Sequence, residues 1–143
     1  MVSKTAEMLD KILNNQKCIS LTTYRKNGVE VSTPIWFAQD GVDIYIMSEE
    51  RSGKIQRIRN SSKVAYVSCS YRGKVRRKFQ DLRIHGEAEF LEDEEFVKAE
   101  QKIAKKYSFL YRFFKRENNI FLRISPTAIL REPKPEEDQG ECE

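Results

Sequence analysis

Hydrophobic positions over residues 4–14 recur at helical spacing, with Met8, Leu9, Ile12 and Leu13 on one face and Ser3 where a helix cap belongs. The period then changes. KCISLTTY (17–24) and VEVSTPIWF (29–37) are β-rich runs joined through Arg25-Lys26-Asn27-Gly28, whose Asn-Gly pair favours the positive φ angles of a tight hairpin. Pro34 has no N–H to give a ladder, which places its strand at an edge, at a bulge, or beside something other than a strand. After the Asp40-Gly41 turn, VDIYIMS (42–48) reads as a third strand, followed by a loop and a short helix that turns Ile55 and Ile58 inward.

KVAYVSCSY (63–71) is the fourth strand and Arg72-Gly73 its turn, with a long strand running on to about Leu91. In that strand Leu82, Ile84, Gly86, Ala88 and Phe90 share one face, and Arg83, His85, Glu87 and Glu89 share the other. A helix begins near Asp93, where Asp93, Glu94 and Glu95 suit the positive end of its dipole. Phe96, Ile103, Tyr107, Leu110 and Phe114 form its apolar stripe. IFLRI (120–124), Pro126 and TAIL (127–130) make a last strand with a bend. The pattern predicts a mainly β (α+β) chain of six antiparallel strands, a small barrel with flanking helices. It forms one domain over residues 1–131, followed by an acidic, proline-containing tail, 132–143, that has little to bury and is expected to be disordered.

Composition narrows the chemistry. At 143 residues the chain can close a core without disulfides or metal. No apolar run approaches the roughly 20 residues that span a bilayer, and no signal-peptide core precedes the first helix, so a cytoplasmic site and no membrane partner are expected. Cys18, Cys69 and Cys142 are far apart in sequence and odd in number, which indicates neither a disulfide framework nor a zinc site. The single histidine, His85, excludes a multi-histidine metal centre and leaves a Ser-His-Asp triad without sequence support. On its polar strand face it reads as solvated or salt-linked.

Charge is segregated. Arg51 to Lys78 holds ten Lys/Arg and no acid, whereas the net charge of the whole chain is +4. This window is built to meet an anion. Within it, Ser48, Ser52, Gly53 and Lys54 place two hydroxyls, free backbone N–H groups and an ammonium at a strand-to-helix junction, a phosphate-binding arrangement in which Arg57, one turn on, shares a face with Lys54. A serine-capped surface helix gives the same spacing. The P-loop pattern is absent.

The ordered set KCISLTTYRKNGVEVSTPIWF, DIYIMSEERSGKIQRIRNSSKVAYVSC, IHGEAEF and KYSFLYRFF resembles the pyridoxamine 5'-phosphate oxidase-like split barrels, and most of all their deazaflavin (coenzyme F420)-dependent branch. The resemblance spans roughly residues 8 to 131 and rests on the order of loose motifs. It implies a six-stranded antiparallel split barrel that forms a homodimer with cofactor sites in the interface. It further implies that Ser32, Thr33, Pro34 and Trp36 run beside a flavin-type ring, and that Met47, Ser48, Ser52, Gly53, Lys54 and Arg57 hold its phosphate. Asn60-Ser61-Ser62 departs from the Asn-Pro that relatives often carry after this helix. From the residues alone, Trp36 reads as core or interface before it reads as a ring platform, and the Tyr107, Tyr111, Phe113, Phe114 cluster as core or interface. No side chain is assigned a catalytic role.

F420 is favoured over FMN because one phosphate needs two or three cations. The surplus in Arg72, Lys74, Arg76, Arg77 and Lys78 suits a polyanionic tail, although a plain solvated turn has the same composition. The function so implied is hydride transfer between the bound cofactor and a small organic substrate. The alternatives are a cofactor-binding protein of the same fold, and a basic nucleic-acid-binding module using Tyr66 and Tyr71. The latter lacks any recognised nucleic-acid motif.

Overall fold

The structure is a computed structural model that describes residues 4–114 and 117–132. Ser3, Cys142 and, of the tail 132–143 expected to be disordered, every residue but Glu132 therefore lie outside the described residues.

Helix α1 (Lys4–Leu13) buries Leu9, Ile12 and Leu13 of the expected face, whereas Met8, expected on the same face, is 38% exposed. Strands β1 (Cys18–Tyr24) and β2 (Glu30–Ile35) pair antiparallel around the Asn27-Gly28 turn, where Gly28 has φ 87°. Then follow β3 (Phe37–Asp40), β4 (Asp43–Glu49), α2 (Gly53–Asn60), β5 (Lys63–Cys69), β6 (Leu82–Phe90), α3 (Asp93–Tyr107), α4 (Phe109–Phe114) and β7 (Asn119–Arg131).

The described residues form seven strands rather than six, in one antiparallel sheet of order β2-β1-β5-β6-β7-β4-β3. The extra strand comes from a break at Trp36, which divides the expected 29–37 run into β2 and β3. These two strands occupy opposite ends of the sheet, yet one residue joins them. The sheet must therefore curl until its edges meet, which makes a barrel split along the β2/β3 seam.

Two other boundaries shift. The strand expected to follow Gly73 directly starts only at Leu82, after a Cys69–Val75 bridge and a 3-10 turn at Arg77–Phe79. The basic run 76–78 has no apolar alternation to hold it on the sheet. The helix from Asp93 also divides, because Ser108 takes φ 52° and closes α3 with its N–H on the Ala104 carbonyl. At the Pro126 bend the β6–β7 register slips between His85 and Gly86. A Cβ on Gly86 would lie 2.7 Å from the Ser125 carbonyl oxygen, so this crossing requires glycine.

The core has two parts. Inside the curl, Leu21, Ile35, Phe37, Ile46, Ile84 and Leu122 meet Ile55 and Ile58 of α2 and the buried face of α1. On the other side of β3, β4 and β7, α3 lays Ala99, Ile103 and Tyr107 against Ala38, Tyr45 and Phe121. Tyr107 and Tyr111 are thus core, as expected, whereas Phe113 is 76% exposed.

Candidate functional site

At the seam a cleft of about 560 Å³ opens between β2, β4 and the start of α2. It brings together five residues singled out in the sequence as holding a cofactor: Pro34, Trp36, Met47, Ser48 and Lys54. Ser52 joins them indirectly, its hydroxyl 3.0 Å from that of Ser48. Ser52 occupies the N-cap of α2 with extended geometry but makes no side-chain cap bond, so its hydroxyl serves the cleft side rather than the helix.

Lys54 sits half-buried in the first turn of α2. Burial, and secondarily the charge of Arg57, hold its ammonium below the ordinary lysine pKa, and Glu49 offsets this only in part. Among the described residues none forms a hydrogen bond or ion pair with Lys54. It is a cation in an electropositive place, with Glu49 as a partial counter-charge and no ion-pair partner among the described residues.

Arg57 folds back along the helix. Its Nη1 would lie 2.9 Å from a Cβ on Gly53, and its Nε donates to Thr23 Oγ1 at 2.7 Å. Glycine at 53 therefore makes room for the guanidinium, which stands beside the cleft rather than in its lining. Ser32 and Thr33 also stay out of the lining. The Ser32 hydroxyl pairs with Thr22 Oγ1 at 2.7 Å, and Thr33 is buried with its Oγ1 unpartnered among the described residues.

Sequence reasoning missed Cys18, Glu49, Tyr71, Leu110 and Asn119, all of which line the cleft. They come from five separate stretches of chain, and only the closed barrel assembles them. Tyr71 and Gly73 place the basic hairpin at this cleft, since a Cβ on Gly73 would contact Pro34 Cδ at 3.6 Å. Arg72, Lys74, Arg76 and Arg77 are exposed, and none has an acid partner among the described residues.

The Trp36 end of the cleft is held by α3. The Tyr107 hydroxyl donates to the Lys17 carbonyl at 2.6 Å and accepts the Phe37 N–H at 3.0 Å, while Lys106 Nζ donates to the Phe37 carbonyl at 2.8 Å. These bonds occupy the outward polar groups of Phe37 on the edge strand β3. Burial lowers the Lys106 ammonium to about 8. His85 lies elsewhere, salt-linked as expected, with Nε2 2.8 Å from Glu132. Glu132 also reaches Arg83, which Glu30 holds on its other side. No group of metal-ligating side chains is present among the described residues, and none of their helices is long and apolar enough to cross a membrane.

A curled antiparallel sheet split at one seam, with a strand-to-helix junction opening into that seam, defines the split barrels as a class. The family described as pyridoxamine 5'-phosphate oxidase matches residues 5–130, and the chain belongs to it. Solved structures share the fold. They include an F420 reductase (TM-score 0.61, 19% identity, 85% of this chain and 94% of that one). They also include General Stress Protein 26 from Bacillus anthracis str. Sterne (0.65, 19%, 89% and 92%) and the heme storage protein HutZ from Vibrio cholerae (0.69, 10%, 91% and 94%). The search of curated proteins gives no match.

Proposed function

We propose that the protein is an oxidoreductase that uses a phosphorylated flavin-type cofactor, F420 in preference to FMN, to move hydride to or from a small organic substrate. The observation that carries this reading is Lys54, a half-buried ammonium with no ion-pair partner among the described residues, lining the same cleft as Pro34 and Trp36. In this reading Lys54, the Ser48 and Ser52 hydroxyls and the first-turn N–H groups of α2 hold the phosphate, with Arg57 adding a second cation from behind. Pro34 and Trp36 give a flat apolar wall of the kind a ring requires, and Leu110 helps keep water from it.

The cofactor, when bound, supplies the two-electron chemistry, and the chain supplies position, electrostatics and a dry site. The basic hairpin at the cleft, with its free charges, favours a ligand whose anionic tail extends past the phosphate. That is the reason for preferring F420. A second copy of the chain would complete the site, and exposed Phe109 and Phe113, which flank the cleft-lining Leu110, suit such an interface. A histidine-ligated heme has no support in this cleft, because the chain's one imidazole is bound to Glu132 outside it.

Titration of the purified protein with F420 and with FMN tests the proposal. Binding well below about millimolar is expected for F420, followed by anaerobic reduction of an acceptor, and failure of both cofactors to bind at that level overturns it.

A further inference from the structure

Cys18 opens β1 and Cys69 closes β5, and the two stand directly opposite each other in the antiparallel ladder. Opposed residues of such a pair point to one face with Cα atoms about 4.5 or 5.5 Å apart. A disulfide takes Cα separations of about 4.4–6.8 Å, so these strands need not move to accept one. Both thiols are free and lie in one core cluster, 2% and 5% exposed. They are close enough for ionisation of Cys18 to oppose that of Cys69.

The two are not equivalent. Cys18 lines the cleft, whereas Cys69 does not. Burial raises the Cys18 thiol above the ordinary cysteine value, and Lys106, anchored on the Phe37 carbonyl, offsets this in part. A reagent in the cleft therefore meets Cys18 first, and Cys69 waits on the adjacent strand.

We propose that Cys18 and Cys69 are a reversible dithiol–disulfide pair at the wall of the cleft, oxidised by small-molecule disulfides that enter it. The Cys18 thiolate attacks one sulfur of the incoming disulfide, forms a mixed disulfide and expels one thiolate. Cys69, losing its proton to solvent, attacks the Cys18 sulfur and expels the second thiol. Two electrons leave the cysteine pair, and the small disulfide is reduced to two thiols. Burial raises the Cys69 thiol to about 12, so the second step is slow at neutral pH and quickens as pH rises. The pair is independent of the cofactor reading, since any small disulfide that fits the cleft serves.

The experiment uses full-length Cys142→Ser protein, incubated with excess oxidised glutathione at about pH 8.5, near the ordinary cysteine pKa. It is then quenched with iodoacetamide under denaturing conditions and mapped as non-reduced peptides. Both alkylatable thiols should vanish, a Cys18–Cys69 linked peptide should appear, and dithiothreitol should restore the pair. In Cys69→Ser (or Cys69→Ala, should the serine not fold), a stable glutathione adduct should accumulate on Cys18 instead. Two thiols still alkylatable after treatment that fully oxidises a control dithiol overturn the proposal. So does a persistent glutathione adduct on Cys18 while Cys69 is present.

Discussion

The Trp36 indole lies flat on the ring of Tyr107, with centroids 4.0 Å apart and planes 4° from parallel. Through this stack and the Tyr107 hydroxyl, α3 fixes the one residue at which the barrel is split. Tyr107→Phe keeps the stack but leaves the buried Phe37 N–H without its acceptor, which should cost about 1–3 kcal/mol. Tyr107→Leu should cost a further ~0.5–1.5 kcal/mol by removing the ring pair. Urea unfolding at unchanged slope measures both.

Lys54→Ala should weaken binding of F420 and FMN alike by about 1.5–3 kcal/mol, the scale of a charge-assisted hydrogen bond. Fluorescence titration reads this directly. Equal affinity in wild type and variant would mean that Lys54 faces solvent and not a phosphate.

The hairpin separates the two cofactors. Replacing Arg76, Arg77 and Lys78 with alanine should lower F420 affinity and flatten its salt dependence while leaving FMN affinity within about twofold, because FMN ends at its phosphate. A parallel loss for both ligands would place these residues at the phosphate and remove the argument for F420.

Lys106 predicts a pH effect on stability. Its folded pKa, about 8, lies below the ordinary lysine value of 10.5. Between those values the unfolded chain binds more protons than the folded one, so this group's contribution to stability rises with pH through that window. Wild type should therefore gain stability relative to Lys106→Met between about pH 7.5 and pH 9.5. Urea midpoints of the two proteins across that range provide the check, and the paired comparison cancels titration of the tyrosines.

At the register slip, Gly86→Ala should destabilise by about 1–3 kcal/mol, because the new methyl meets a backbone carbonyl in mid-sheet that cannot step aside. Thermal unfolding reports the loss, with no change expected in cofactor affinity for the folded protein.

Local signals carried most of the fold. Asn27-Gly28 and Asp40-Gly41 turn where their positive φ requires, and the apolar faces of α1 and α2 are those of the sequence pattern apart from the exposed Met8. The break at Trp36 was illegible because the β-rich run 29–37 continues through it without a turn residue. What divides the run is closure of the barrel, a property of the whole sheet. The phosphate end of the cleft was legible because Met47, Ser48, Ser52 and Lys54 are neighbours in sequence. Leu110, Asn119 and the Cys18–Cys69 pairing were not, since each depends on a long-range register that no local pattern encodes.

Strand β7 lies between β6 and β4 and alone joins the β2-β1-β5-β6 and β4-β3 parts of the sheet. During synthesis, every earlier strand leaves the ribosome before that bridge exists. Until residues 119–131 emerge, β6 and β4 each offer an unpaired edge to any neighbouring nascent chain. The last of the described strands is the one that seals both edges, so closure of this barrel waits on residues 119–131.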